Sequence, residues 1–192
     1  VVFRNTELIY SDRISELVAG TDRFKGMLAE GVDRLLGDRS PAYPYVPAGS
    51  GDYLPSSPLR LLLKNYRLSD DIAFRFSDRN WAEWPLDAAR FAKWVNQING
   101  DGHLCNLFMD YETFGEHQWA DSGIFGFLDA LPAAVFEVNP GQNDFVTVRE
   151  AIERYDPVGV YKAPNPVSWA DSERDLSAWL GNAMQDNAAA EL

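Results

Sequence analysis

Along the chain, short apolar runs of strand length alternate with stretches in which apolar residues recur at the spacing of one helical face. Residues 1–3 suit the end of a strand. After the polar NTELIYSDR the spacing predicts a helix around Ile14–Ala19, stopped by Gly20. In TDRFKGMLAEGVDRLLGD, Phe24, Met27, Leu28, Gly31 and Leu35 follow one helical face, so a second helix is expected, capped by Thr21 or Asp22 and ended by Gly37. Residues 40–58 carry five prolines and three tyrosines with no period and predict a long loop, a feature often found over binding sites. LRLLLKN from Leu59 reads as a strand and LSDDIAFRF as a helix capped by Ser69. WPLDAARFAKWVNQINGDG reads as a helix with Phe91, Trp94, Val95 and Ile98 in its stripe. Next come a strand over 103–111, a helix in SGIFGFLDAL, a short strand in NDFVT, a helix in TVREAIERY with Thr147 and Glu150 at capping-box spacing, and a last helix in SWADSERDLSAWLGNAMQ.

Strands separated by helices imply an α/β fold with a parallel sheet covered by helices, and the near-continuous apolar run Leu104–Met109 suits burial on both faces. In such folds chemistry sits at the carboxyl ends of strands. The 192 residues, 46% hydrophobic and 13% aromatic, supply one substantial core. A net charge of −12 argues against nucleic acid or an anionic membrane as partner and makes a neutral ligand the simpler expectation. No stretch has the roughly 20 apolar residues that span a bilayer. The single Cys105 has no internal partner and lies in an apolar run, which fits a reducing compartment and an expected cytoplasmic location. The opening VVFRNTELIY has no approach segment and reads as the middle of a longer chain.

The chemistry-bearing residues cluster in three places. In MDYETFGEH, Asp110 and Glu112 follow the 103–111 run; two apart on a strand they would face one side, next to Phe114 and Trp119, where desolvation favours a protonated, proton-donating carboxyl. Helix capping or ion pairing is the ordinary use of such acids, and Trp119 could equally be a sugar platform or a surface residue. A metal set of Asp110, Glu112 and His117 lacks a nearby second histidine, since His103 falls at the other end of the run, so no metal is expected. His117 beside these acids suits hydrogen bonding to a ligand. In FRNTELIY, Glu7 follows a strand among Asn5, Thr6 and Tyr10. Paired with Asp110 across a sheet it would complete the two carboxylates, about 5 Å apart, that break a glycosidic bond with retention. In SWADSERD, Trp169 and Asp171 precede the last expected helix, where capping is the ordinary role of such residues.

FRNTELIY, LSDDIAFRFSDRNW, FMDYETFGEHQW and SWADSERDLSAWLGN together resemble the α-amylase group of glycoside hydrolase family 57. The resemblance implies a retaining hydrolase of α-1,4-glucans such as starch or glycogen, with an α-glucan or maltooligosaccharide as substrate and no cofactor. It implies an incomplete seven-stranded parallel β/α barrel followed by the start of a helical region, with residues 1–165 the C-terminal portion of the barrel and 166–192 the beginning of the helices. It puts the nucleophile at Glu7 and the general acid/base at Asp110. It gives substrate binding to His117, Trp169 and Asp171, which Glu112 and Trp119 join from their place beside Asp110. The family's opening His-Gln-Pro-type motif and its second conserved region have no counterpart here, so the N-terminal part of the barrel is expected to lie outside this sequence. The alternatives are a 4-α-glucanotransferase using the same site and a non-catalytic glucan-binding remnant.

Overall fold

The computed structural model describes residues 1–50 and 59–191; the 51–58 part of the expected loop lies outside the described residues. In chain order the regular elements are β1 (Val2–Arg4), α1 (Asp12–Ala19), β2 (Gly26–Glu30), α2 (Asp33–Leu36), β3 (Val46–Pro47), β4 (Arg60–Lys64), α3 (Tyr66–Asp70) and α4 (Ala88–Asn96). They continue with α5 (Ile124–Val138), α6 (Val148–Arg154), β5 (Val160–Tyr161) and α7 (Ala183–Ala190). The fold is mixed α/β with parallel sheets: β1 and β2 pair in parallel with Phe3 opposite Met27, β2 also pairs with β4, and β3 pairs in parallel with β5. Among the described residues no helix is long and apolar enough to cross a membrane.

Two compact units form, Val1–Leu63 with Val148–Leu192, and Lys64–Thr147. In the first, Met27, Leu61, Leu63, Tyr45 and Tyr161 are fully or almost fully buried in one core, and a reciprocal pair of backbone bonds between Tyr45 and Leu61 links the two sheets. In the second, α4 packs on α5 through Phe91, whose ring meets Phe127 edge-on at 5.7 Å, with Ile72, Phe76, Leu86 and Leu131 around them.

Several elements differ from expectation. The stretch 21–38 is a strand followed by a four-residue helix: the ladder to β1 binds the backbone of 26–28, and Gly26, Met27, Ala29 and Glu30 are buried. A Cβ at Gly26 would stand 3.1 Å from Ile152 of α6, so glycine gives that helix its seat against β2. The 103–111 run forms no ladder among the described residues; Asn106 accepts one backbone bond from Asn65, and Phe108 N–H donates to Ser69 Oγ. Within it Leu104 is buried and 105–110 are half-buried, each keeping some surface in solvent, so full burial on both faces does not hold. The cap of α3 is Asn65, which accepts from Leu68 N–H, whereas Ser69 sits inside the helix, with a π-helical turn over Asp71–Arg75 beyond it. NDFVT is irregular. Residues 168–182 form turns rather than helix because Asp171 and Asp175 side chains bind the nearby N–H groups of Arg174 and Ser177, an arrangement that competes with helical bonding.

Candidate active site

Glu7 lies in a one-turn 3-10 segment, Thr6–Leu8, directly after β1. Asn5 opens this turn by accepting from Thr6 N–H and donating to the Ile9 carbonyl. The turn takes Glu7 to φ 49°, ψ 26°, and Leu8 also has φ 49°, a left-handed conformation that ordinarily favours glycine. A distant segment holds it there. The Glu7 carbonyl accepts from Ser168 Oγ at 2.8 Å and from Trp169 N–H at 3.2 Å. The Glu7 carboxylate accepts from the Trp169 indole Nε1–H at 2.7 Å. A reciprocal backbone pair between Tyr10 and Val167 continues the clamp, and the Arg4 guanidinium stands 5.7 Å from the centre of the Trp169 ring. The result is a half-exposed carboxylate held in one orientation at the carboxyl end of a parallel strand, which suits a nucleophile.

The structure thus brings Glu7 and Trp169 into direct contact. Asp171 lies two residues beyond Trp169, but both its oxygens are taken up locally, Oδ1 by Arg174 N–H and Oδ2 by the Ser177 hydroxyl.

Asp110, Glu112, His117 and Trp119 share one tight loop of the second unit. Asp110 precedes a 3-10 turn over Tyr111–Thr113, and its carbonyl accepts from Thr113 N–H. This turn replaces strand alternation, so Asp110 is half-buried while Glu112 is exposed, and the expected common facing of the two acids does not follow from strand geometry. The carbonyl of Glu112 accepts from the N–H groups of Glu116 and His117. Gln118 anchors the loop from below: it is buried and donates through Nε2 to the Ala73 carbonyl at 2.9 Å. His117 is exposed, and Trp119 and Tyr111 are 68% and 96% exposed, so the loop presents aromatic faces to solvent as a carbohydrate-contacting loop would. Among the described residues no three His, Cys, Asp or Glu side chains gather closely enough to hold a metal ion.

Tyr45, in the 40–58 stretch, is fully buried and gives its hydroxyl proton to the Ser40 carbonyl, so it belongs to the core. Arg4, Ser168 and Arg174 carry no signal in the sequence, whereas Glu30 carries one, an acid closing the apolar GMLA run.

Residues 1–164 match the family model for glycosyl hydrolase family 57. A protein of Methanocaldococcus jannaschii, named "Putative alpha-amylase", is 46% identical over 188 residues, covering 96% of this chain and 37% of that relative. The chain therefore spans well under half of that relative's length, and it belongs to glycosyl hydrolase family 57.

Proposed function

We propose that the protein containing this chain is a retaining glycoside hydrolase acting on α-1,4-glucans, with Glu7 as nucleophile and Asp110 as general acid/base. Residues 1–165 would then be the C-terminal portion of an incomplete seven-stranded β/α barrel and 166–192 the start of a helical region. The observation that carries the reading is the clamped Glu7 carboxylate, fixed by the Trp169 indole on a left-handed turn that a glycine would fill more easily. Family membership and the name of the relative support amylase-type substrates.

In this mechanism Asp110 protonates the glycosidic oxygen as Glu7 attacks the anomeric carbon, giving a covalent glycosyl-enzyme and a free sugar end. Asp110, now a carboxylate, takes a proton from water as that water attacks the same carbon and releases Glu7, so anomeric configuration is retained. Two carboxyl groups are sufficient for these steps. Trp119 and Trp169 offer apolar faces to sugar rings, and Glu112 and His117 offer polar contacts to hydroxyls, whereas the Asp171 oxygens are already engaged by Arg174 and Ser177.

The test is Glu7→Gln in the full-length protein, assayed on soluble starch and on maltooligosaccharides. The expected loss in kcat is at least about a thousandfold. Hydrolysis at the wild-type rate would overturn the assignment. Product analysis in the same assay reports whether water or a sugar hydroxyl resolves the intermediate, because transfer yields oligosaccharides longer than the substrate.

A further inference from the structure

Resting on the reading of Glu7 as nucleophile, we infer that Arg174, paired with Glu30, is a positioning residue that holds the Glu7 carboxylate in attack geometry by way of Trp169. The case begins with the neighbouring strands β1 and β2. They run parallel, Arg4 opposite Leu28, so the turn after β1 and the last residue of β2 lie at the same end of the sheet. Glu7 occupies the first position and Glu30 the second. Residues 168–174 hold both: Ser168 and Trp169 bind Glu7, and the Arg174 guanidinium lies 3.7 Å from Glu30 Oε2.

Burial makes the Arg174 end of this clamp stiff. Glu30 is fully buried, with its other oxygen accepting from Gly31 N–H at 2.8 Å, and the Arg174 side chain is 15% exposed. A buried carboxylate gains strongly from a paired cation, so leaving β2 would cost the segment this ion pair. Arg174 also ties the intervening turn together: its backbone N–H and one guanidinium nitrogen both donate to Asp171. Arg34 in α2 fastens the same point by donating to the carbonyls of Glu173 and Arg174. Like Glu7, Arg174 has a left-handed backbone, φ 56°, and both strained positions are tied by long-range bonds between the same two parts of the chain. Trp169 sits between these anchors, which fixes where its indole N–H points and hence where the Glu7 carboxylate rests. Small displacements of a reacting group cost large factors in rate.

The experiment uses the full-length protein with Arg174→Met, Glu30→Gln and Arg174→Lys, each checked for folding by circular dichroism, with Glu7→Gln alongside. Readouts are kcat and KM on a maltooligosaccharide, kcat on α-maltotriosyl fluoride, and the rate of covalent labelling by an α-configured cyclophellitol epoxide, whose stoichiometry counts intact sites. Arg174→Met and Glu30→Gln should each lower kcat per intact site by about 10- to 100-fold, with KM within about twofold of wild type. The loss should persist on the fluoride, whose leaving group needs no general acid, and the labelling rate should fall in proportion. Arg174→Lys should fall between Arg174→Met and wild type, and it decides the matter if the neutral variants do not fold. Wild-type kcat per intact site in the folded variants, or a loss confined to KM or to the number of intact sites, would overturn the positioning role while an inactive Glu7→Gln left the nucleophile in place. An active Glu7→Gln would overturn the nucleophile itself.

Discussion

The left-handed backbone at Glu7 makes a prediction about stability that is separate from activity. Glu7→Ala and Glu7→Gly both delete the carboxylate and its bond from the Trp169 indole, so that loss is common to the pair. They differ in what a Cβ costs at φ 49°, ψ 26°. For a residue with a Cβ the left-handed region is unfavourable by about 1–2 kcal/mol. Against this, glycine leaves the unfolded chain more conformational freedom, an opposing effect of about 0.4–1 kcal/mol. Midpoints of about 1.5 against about 0.7 kcal/mol make Glu7→Gly more stable than Glu7→Ala by about 0.8 kcal/mol, and on the role proposed for Glu7 both should be inactive. Urea unfolding of the full-length variants, fitted with a shared slope, converts the difference in midpoint into this free energy. An alanine variant as stable as the glycine variant would refute the strained turn and, with it, the argument that segment 167–169 holds Glu7 against its local preference.

Other regions give independent checks. A Cβ on Gly49 would overlap the Asp12 carbonyl oxygen of α1, so Gly49→Ala should destabilise by about 2 kcal/mol, seen as a lower urea midpoint; an unchanged midpoint would refute that close approach. Burial pushes the Cys105 thiol up to about 12, which suppresses the reactive thiolate, so an aromatic disulfide reagent at pH 8 should label it on the order of a thousandfold more slowly in the native protein than in urea. Equal rates would contradict this. Burial raises the Asp71 carboxyl above its ordinary 3.8, against the opposing bond and charge of Arg75. A raised acid binds its proton more tightly when folded, so its contribution to stability falls as pH climbs from 3.8 through the folded value and is level above. The stability of wild type relative to Asp71→Asn should therefore decline over that window, and a pH-independent gap would reject the shift.

Local pattern was sufficient wherever one element could be recognised from its own residues. The apolar LRLLLK run became β4, the stripe of Phe91 and Trp94 became α4, and the apolar spacing before Gly20 became α1. It misled where two periodicities coincide. Phe24, Met27, Leu28, Gly31 and Leu35 satisfy a helical face, yet the decision belongs to β1, which offers the backbone of 26–28 a ladder. Between Leu104 and Met109 composition suggested burial that neighbouring strands must supply, and no ladder forms there among the described residues. At the candidate site the chemistry-bearing residues are legible in the sequence and their supports are not. Glu7 and Trp169 stand out as an acid after a strand and an aromatic before a capping cluster, whereas the pairing of Arg174 with Glu30 joins residues that no local window contains.

The turn at Glu7 shows why local rules fail at this point. Ranked by conformational preference alone, NTELI would put glycine or asparagine where Glu7 and Leu8 take φ 49°. Neither glycine nor asparagine carries a nucleophilic carboxylate. A residue that opposes its own backbone preference persists only where tertiary contacts over-determine the conformation, and here they do so through Ser168, Trp169 and the Tyr10–Val167 pair. Leu8 supplies the remaining restraint from inside the chain, because its fully buried side chain fixes the residue after Glu7 in the core. The same contacts that offset the strain also fix the carboxylate, so rigidity at Glu7 and stability of the 167–174 segment are one property. On the role proposed for Glu7, loosening that segment should therefore lower kcat before it unfolds the protein.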